Sequence, residues 1–164
     1  MTIDAQEFRH VLGHFATGVT IITTQSEERP IGFTANAFTS VSLDPPLVLV
    51  CIGNTNSSLA AVLASGVFVV NVLAAEQEDL ARVFAKNGPA KNAHFANIVY
   101  QRGSTGVPIL ADDLAWIECR IYATHPAGDH IIVIGEVVAL GSRPGTPLVF
   151  ADGHYVTLPA PTLR

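Results

Sequence analysis

Gly32-Phe33-Thr34-Ala35-Asn36-Ala37-Phe38-Thr39-Ser40-Val41-Ser42-Leu43-Asp44-Pro45-Pro46 is the stretch on which the fold reading turns. It supplies two strand pieces, 31–33 and 38–43. It stops at Asp44-Pro45-Pro46, because neither proline can donate to a ladder. On either side lie residues 19–24, β-branched throughout, and 47–52, a fully apolar run of strand length. Within the stretch, small residues, hydroxyls and one amide are mixed. Small side chains let a flat ligand approach the backbone. Hydroxyls and exposed N–H groups then satisfy carbonyls, sugar oxygens or phosphate. The competing reading is an edge strand with a Ser/Thr-rich solvent face.

Outward from this stretch the pattern stays rich in strands. Residues 4–15 read as a helix, with Phe8, Val11, Leu12 and Phe15 on one apolar stripe and Asp4 as its cap. Residues 25–28 read as a polar turn. After 47–52 come the cap-forming Asn54-Thr55-Asn56-Ser57-Ser58, a short helix over 59–64 and a stop at Gly66. Residues 67–72 read as a buried strand. Residues 76–85 read as an amphipathic helix, acidic at its start and basic near its end. Residues 86–113 read as an irregular excursion over one mouth of a barrel. Two long strands, 116–124 and 131–140, are joined through His125-Pro126-Ala127-Gly128-Asp129. A final hairpin over 148–150 and 154–158 precedes an extended tail at 159–164. Many strands with hairpin-like links predict an antiparallel barrel rather than βαβ units.

The 164 residues predict a single domain, able to bury roughly 70% of its unfolded surface. Apolar residues make up 49% and charged residues 14%, which predicts that part of the surface is covered by a second copy in a homodimer. A net charge of −5 with no basic run argues against nucleic acid and anionic membrane as partners. Cys51 and Cys119 read as buried free thiols, without zinc or redox spacing. No signal-peptide apolar region and no run of the ~20 residues a membrane helix needs is visible, so a cytoplasmic protein is expected.

Three constellations carry chemistry. The 32–46 stretch reads as a cradle for a ring and its polyol chain, with Asn36 and the backbone of 34–37 as donors. The cluster at 54–58 precedes a helix, where free N–H groups and the dipole suit a phosphate; ordinary capping is the alternative. Gly128-Asp129-His130 reads as a hairpin turn or as a dinucleotide contact. His10 and His14, spaced i, i+4, lack a third ligand, and no metal is expected. No Gly-x-Gly-x-x-Gly pattern occurs, so a nicotinamide cofactor would have to bind without a Rossmann unit.

The motif order is more specific than any one motif. It runs from Phe8-Arg9 and Leu12-Gly13 through Phe15-Ala16-Thr17-Gly18-Val19-Thr20 to the 32–51 core. Segments 68–73 and 80–84 follow, then Gly128-Asp129-His130 with Gly135-Glu136-Val137. The last are Pro147-Leu148-Val149-Phe150 and Gly153-His154-Tyr155. Over about residues 6–158 this resembles the flavin reductase family. The resemblance implies a mainly β, antiparallel split β-barrel of the Greek-key, FMN-binding type with a few short flanking helices. It implies a homodimer that binds FMN, or alternatively FAD, and takes hydride from NADH or NADPH for a partner monooxygenase. By resemblance, Thr34, Ala35, Asn36 and Ala37 hold the isoalloxazine edge. Ser40, Val41, Ser42, Cys51, Ser57 and Ser58 lie along ribityl and phosphate, and Phe84 and Lys86 close the far side. Gly128, Asp129 and His130 meet the nicotinamide cofactor, with Tyr155 near the ring. Hydride transfer then depends on ring positioning rather than on a catalytic acid or base. Members often carry an acid, a base and Phe after the second helix; here Ala93-His94-Phe95 stands in their place. The residues alone leave open a flavin carrier without nicotinamide activity and a barrel for another ligand.

Overall fold

A computed structural model describes residues 3–159; of the tail expected over 159–164, residues 160–164 lie outside the described residues. The chain opens with helix α1 (Ala5–Gly13), whose first turn is capped as its sequence predicts. The Asp4 carboxylate accepts from the Gln6 and Glu7 N–H groups at 3.1 and 3.0 Å. The apolar stripe of α1 does not enter a core. Phe8, Val11, Leu12 and the following Phe15 all remain more than half exposed.

Seven strands form one antiparallel sheet in the order β3-β2-β6-β9-β10-β5-β4. They are β2 (Thr20–Ser26), β3 (Arg29–Ala35), β4 (Phe38–Leu43), β5 (Pro46–Gly53), β6 (Val67–Val72), β9 (Ala115–Ala127) and β10 (His130–Ser142). β1 (Thr17–Gly18) pairs with β11 (Leu148–Ala151), which pairs with β12 (His154–Thr157). Helix α2 (Leu59–Ser65) ends at Gly66, whose φ of 69° is the left-handed stop the sequence predicts. Helix α3 (Glu78–Phe84) follows a 3-10 turn at Ala75–Gln77.

Residues from both ends of this sheet share one core. Phe33 of β3, Val48 and Val50 of β5, Phe68 of β6 and Val133 of β10 pack together, with Phe38 of β4 against them. The sheet therefore curls on itself. Its ladder nevertheless ends at β3 and β4, so the barrel is split rather than closed. The link from β3 into β4 is held locally, with Phe38 N–H donating to Asn36 O and Cys51 N–H of β5 donating to Ala37 O, each at 3.0 Å. The fit inside is tight. A Cβ at Gly135 would lie 2.5 Å from the Phe68 ring, so the β10 backbone approaches that ring as only glycine allows. A second core joins Ile21, Leu73, Ala81, Phe84, Phe95 and Leu148 beneath α3.

The structure corrects three expectations. Residues 86–113 are not an irregular cover over a barrel mouth. They contain a 3-10 run (Pro89–Asn97) and a hairpin of β7 (Tyr100–Arg102) and β8 (Pro108–Leu110). The hairpin is hooked to the main sheet by buried polar groups. Thr23 Oγ1 donates to Pro108 O at 2.5 Å, and Leu110 N–H donates to Asn71 Oδ1 at 2.9 Å. The long link between β9 and β10 shrinks to a two-residue turn, Gly128-Asp129, because residues 125–127 are strand. Pro126 is tolerated there because it faces Ile131, one pair beyond the closing His130–Ala127 pair, where its nitrogen points away from β10. Of the thiols, Cys119 is buried and pushed up to about 12 by burial and by the nearby Glu118 charge; Cys51 is only half-buried.

Asp113 supplies a pH prediction. Burial raises its carboxyl to about 7, opposed by Arg143 and aided by Asp112, and its Oδ2 has no partner. The folded value lies above the unfolded one. Asp113 therefore favours the fold most below about pH 4, and that contribution is lost as pH rises through about 7. Asp113→Asn is expected to be more stable than wild type at pH 8 and to lose less stability between pH 4 and 8, read by urea unfolding. Equal pH slopes for the two proteins would contradict this.

Candidate active site

The sequence brings α1 across the open end of the sheet because the chain turns back at residues 14–16 into β1. Two ties hold the end of the helix. Asp152 N–H donates to Gly13 O at 2.8 Å, and His14 Nδ1 lies 2.9 Å from Asp152 Oδ1. Between α1 and the sheet runs a cleft of about 480 Å³ lined by Phe8, Arg9, Asn36, Asp129, His130 and Phe150 among others. A neighbouring hollow of about 360 Å³ shares Phe15 and Asn36 with it and is floored by Thr20, Phe38 and Val72. The walls are flat aromatic rings, and polar groups are few. This is the usual make-up of a site for a planar ligand.

Three segments far apart in sequence converge here. Asn54 N–H donates to Asp129 O at 2.9 Å, and the Asn54 amide donates to Gly128 O at 3.4 Å. The 54–58 cluster is thereby fastened to the 128–130 turn. Asn36 and His130 face the same cleft. Asp129 Oδ1 lies 2.7 Å from His130 Nδ1, which holds the ring with Nε2 free. That hydrogen bond, with the attraction of the ring and a smaller one from Arg9, keeps the exposed Asp129 carboxyl below its ordinary value.

The remaining candidates divide. Ala37, Ser40 and Val41 lie exposed on or beside the edge strand β4, and Ser42 is half-exposed. A register shift between Ser40 and Ser42 leaves Val41 bulged out. Ser57 is exposed at the start of α2. Thr34 Oγ1 is committed to Ala81 O at 2.7 Å, and Ala35 O accepts from Thr20 Oγ1 at 2.7 Å. Two more lie in the interior. Ser58 is fully buried, and its unpartnered Oγ faces no solvent; Phe84 is enclosed against Phe95 and offers no surface to a ligand. Lys86 is exposed past the end of α3, away from the cleft lining. Tyr155 stands one ring behind the cleft, edge-on to Phe150 at 5.3 Å, under the Arg82 guanidinium.

Sequence reading missed Arg9, Phe15 and Phe150 as site residues. The signal was a cation beside the apolar stripe of a helix with no strand left over to bury it. Among the described residues no group of three or more His, Cys, Asp or Glu could hold a metal.

Comparison with known proteins follows the same lines. The model of the "Flavin reductase like domain" family matches residues 12–159. The reductase subunit HsaB of a flavin-dependent monooxygenase from Rhodococcus jostii is 44% identical, over 97% of this chain and 84% of that protein. "FMN reductase (NADH) SmoA" from Agrobacterium fabrum is 42% identical over 93% of this chain and 85% of its own. The solved structure of the Streptomyces globisporus NADH:FAD oxidoreductase SgcE6 superposes with a TM-score of 0.89 at 36% identity, covering 99% of both chains.

Proposed function

The chain belongs to the flavin reductase family, and on that premise we propose that it reduces FMN or FAD with NADH and hands the reduced flavin to a partner monooxygenase. The observation that carries this is the convergence of Asn36 and the Asp129–His130 pair on one aromatic-walled cleft, with Asn54 bonded to the turn that carries the pair. The fit to flavin rests on that cleft and on the free amide of Asn36. The exposed backbone of 37–41 beside it, at the sheet's unpaired edge, supplies further donors. When bound, the flavin supplies a two-electron acceptor for hydride from the nicotinamide ring. The protein's part is positional. Asn36 and the backbone of 35–37 orient the ring edge. Ser40, Ser42 and Ser57 follow the polyol and phosphate. His130, fixed by Asp129, meets the nicotinamide side. Phe8 and Phe150 exclude water.

We read residues 1–164 as one domain acting as a homodimer. β5 is apolar on both faces: Val48, Val50 and Ile52 point into the core, while Leu47, Leu49 and Cys51 point out beside Ile132 and Ile134 of β10. A second copy over this outer face would cover it, and light scattering should return twice the monomer mass. We read it as cytoplasmic because the proposed reaction draws on NADH; separately, no helix among the described residues is long and apolar enough to cross a membrane.

The direct test is NADH oxidation followed by absorbance, with and without added FMN or FAD. Consumption that requires added flavin is expected. His130→Ala should raise the KM for NADH about tenfold, the equivalent of one lost hydrogen bond to a partly charged group, with flavin affinity unchanged. A folded protein that consumes neither NADH nor NADPH with either flavin overturns the reductase reading.

A further inference from the structure

We propose that Arg9 anchors the pyrophosphate of the nicotinamide dinucleotide; this rests on the reading of the cleft as the dinucleotide's site. A dinucleotide brings two negative charges to a protein whose own net charge is −5. Its docking needs a local cation, and among the described residues Arg9 is the only lysine or arginine lining the cleft. The other cations are committed or distant. Arg82 pairs with Glu78 at 2.6 Å, Arg102 and Arg143 are bound to backbone carbonyls, and Lys91 is buried. Arg29 begins β3, at the far end of the β2–β3 hairpin from Asn36; Arg120 lines a separate hollow with Gln25 and Ser104, and Lys86 lies past α3 outside the cleft lining.

Arg9 is also unspent. Among the described residues its guanidinium makes no hydrogen bond, and no carboxylate lies within ion-pair distance. Its charge reaches Asp129 only through space. Five N–H donors in a planar fork, lining the same cleft as His130, match paired phosphate oxygens. The support is fixed as well, because the Gly13–Asp152 hydrogen bond and the His14–Asp152 pair pin the helix that carries Arg9. With His130 at the nicotinamide side and Arg9 on α1 in the same lining, the cofactor would lie along α1 with its phosphates under the guanidinium.

The experiment titrates flavin-free protein with NADH, read by nicotinamide fluorescence at several salt concentrations. Wild type, Arg9→Ala and Arg9→Lys are compared. Arg9→Ala should raise the Kd for NADH about tenfold or more and flatten its salt dependence, with Arg9→Lys recovering part of the loss. Reduced nicotinamide riboside, which has no phosphate, should bind all three alike. FMN affinity, read by fluorescence quenching, should not change. In turnover, Arg9→Ala should raise KM and leave kcat at saturating NADH intact. Arg9 is exposed, so its removal should leave the melting temperature unaltered. An unchanged Kd for NADH overturns the assignment, as does an equal loss for the riboside or a loss confined to FMN. Failure of the wild type to bind NADH sinks the reductase reading instead.

Discussion

Glu118→Ala should destabilise this protein by about 2–3 kcal/mol, because it removes a buried carboxylate around which a whole loop is organised. Glu118 is 1% exposed on β9, between core residues. No cation pairs with it among the described residues. Its two oxygens accept from Ser104 N–H and Oγ at 3.1 and 3.0 Å, and from Thr105 N–H and Oγ1 at 2.6 and 2.5 Å. Removing it strands those donors beneath the loop. The loop comes so close that a Cβ on Gly103 would meet the carboxylate at 2.5 Å, which explains the glycine there. Burial by itself would raise the Glu118 carboxyl; the hydrogen bonds from Thr105 and Ser104 outweigh it and hold the group below its ordinary value.

The pH dependence then has a definite sign. A depressed folded pKa stabilises above the unfolded value, near 4.3, and that stability is lost as pH falls through the folded one. Urea unfolding of wild type and Glu118→Ala should show the full gap at pH 7 and a narrower gap at pH 3. This is opposite in direction to Asp113, which shares burial but has no donors on its Oδ2. A pH-independent gap would mean that packing, not the charge, is what Glu118 supplies.

Phe84→Ala should cost about 3–5 kcal/mol, the range for emptying a large ring from a core. Phe84 is wholly buried, with its ring 5.1 Å from Phe95 and nearly perpendicular packing continuing to Tyr100. Gly32 of β3 lies flat against both rings: a Cβ there would be 3.1 Å from each. The milder Phe84→Leu keeps most of the volume and separates packing from binding. It should lower the melting temperature and leave FMN affinity unchanged. A tenfold loss of FMN affinity in a folded Phe84→Leu protein would show that the ring reaches the flavin after all.

This second case shows where sequence reading stops. The resemblance puts Phe84 and Lys86 together on the far side of the flavin. In the structure the helix turns one residue inward and leaves the other in water. Ser57 and Ser58 are likewise adjacent, and only Ser57 is exposed. Neighbours on a helix or turn point in different directions, and their orientation depends on what the element packs against. α1 shows the same limit from the other side. Its stripe of Phe8, Val11, Leu12 and Phe15 was legible, yet periodicity names a face and not the surface it meets. That face borders a cleft and solvent rather than a core.

What the sequence determined by itself was local and periodic. The Asp4 cap, the Gly66 stop, the apolar runs of β5 and β6, and the Gly128 and Gly153 turns follow from neighbouring side chains and allowed dihedrals, so they needed no knowledge of the rest of the chain. The order of those motifs was enough for the family resemblance. Tertiary structure alone decided three things. It left the ends of the ladder at β3 and β4. It hooked 100–110 to the sheet through Thr23 and Asn71. It also set Arg9 and Phe150 opposite Asn36 and His130. Each depends on contacts between residues tens of positions apart. Such contacts form only when burial of the shared core repays the entropy of closing the loops between them, and no short window of sequence records that balance.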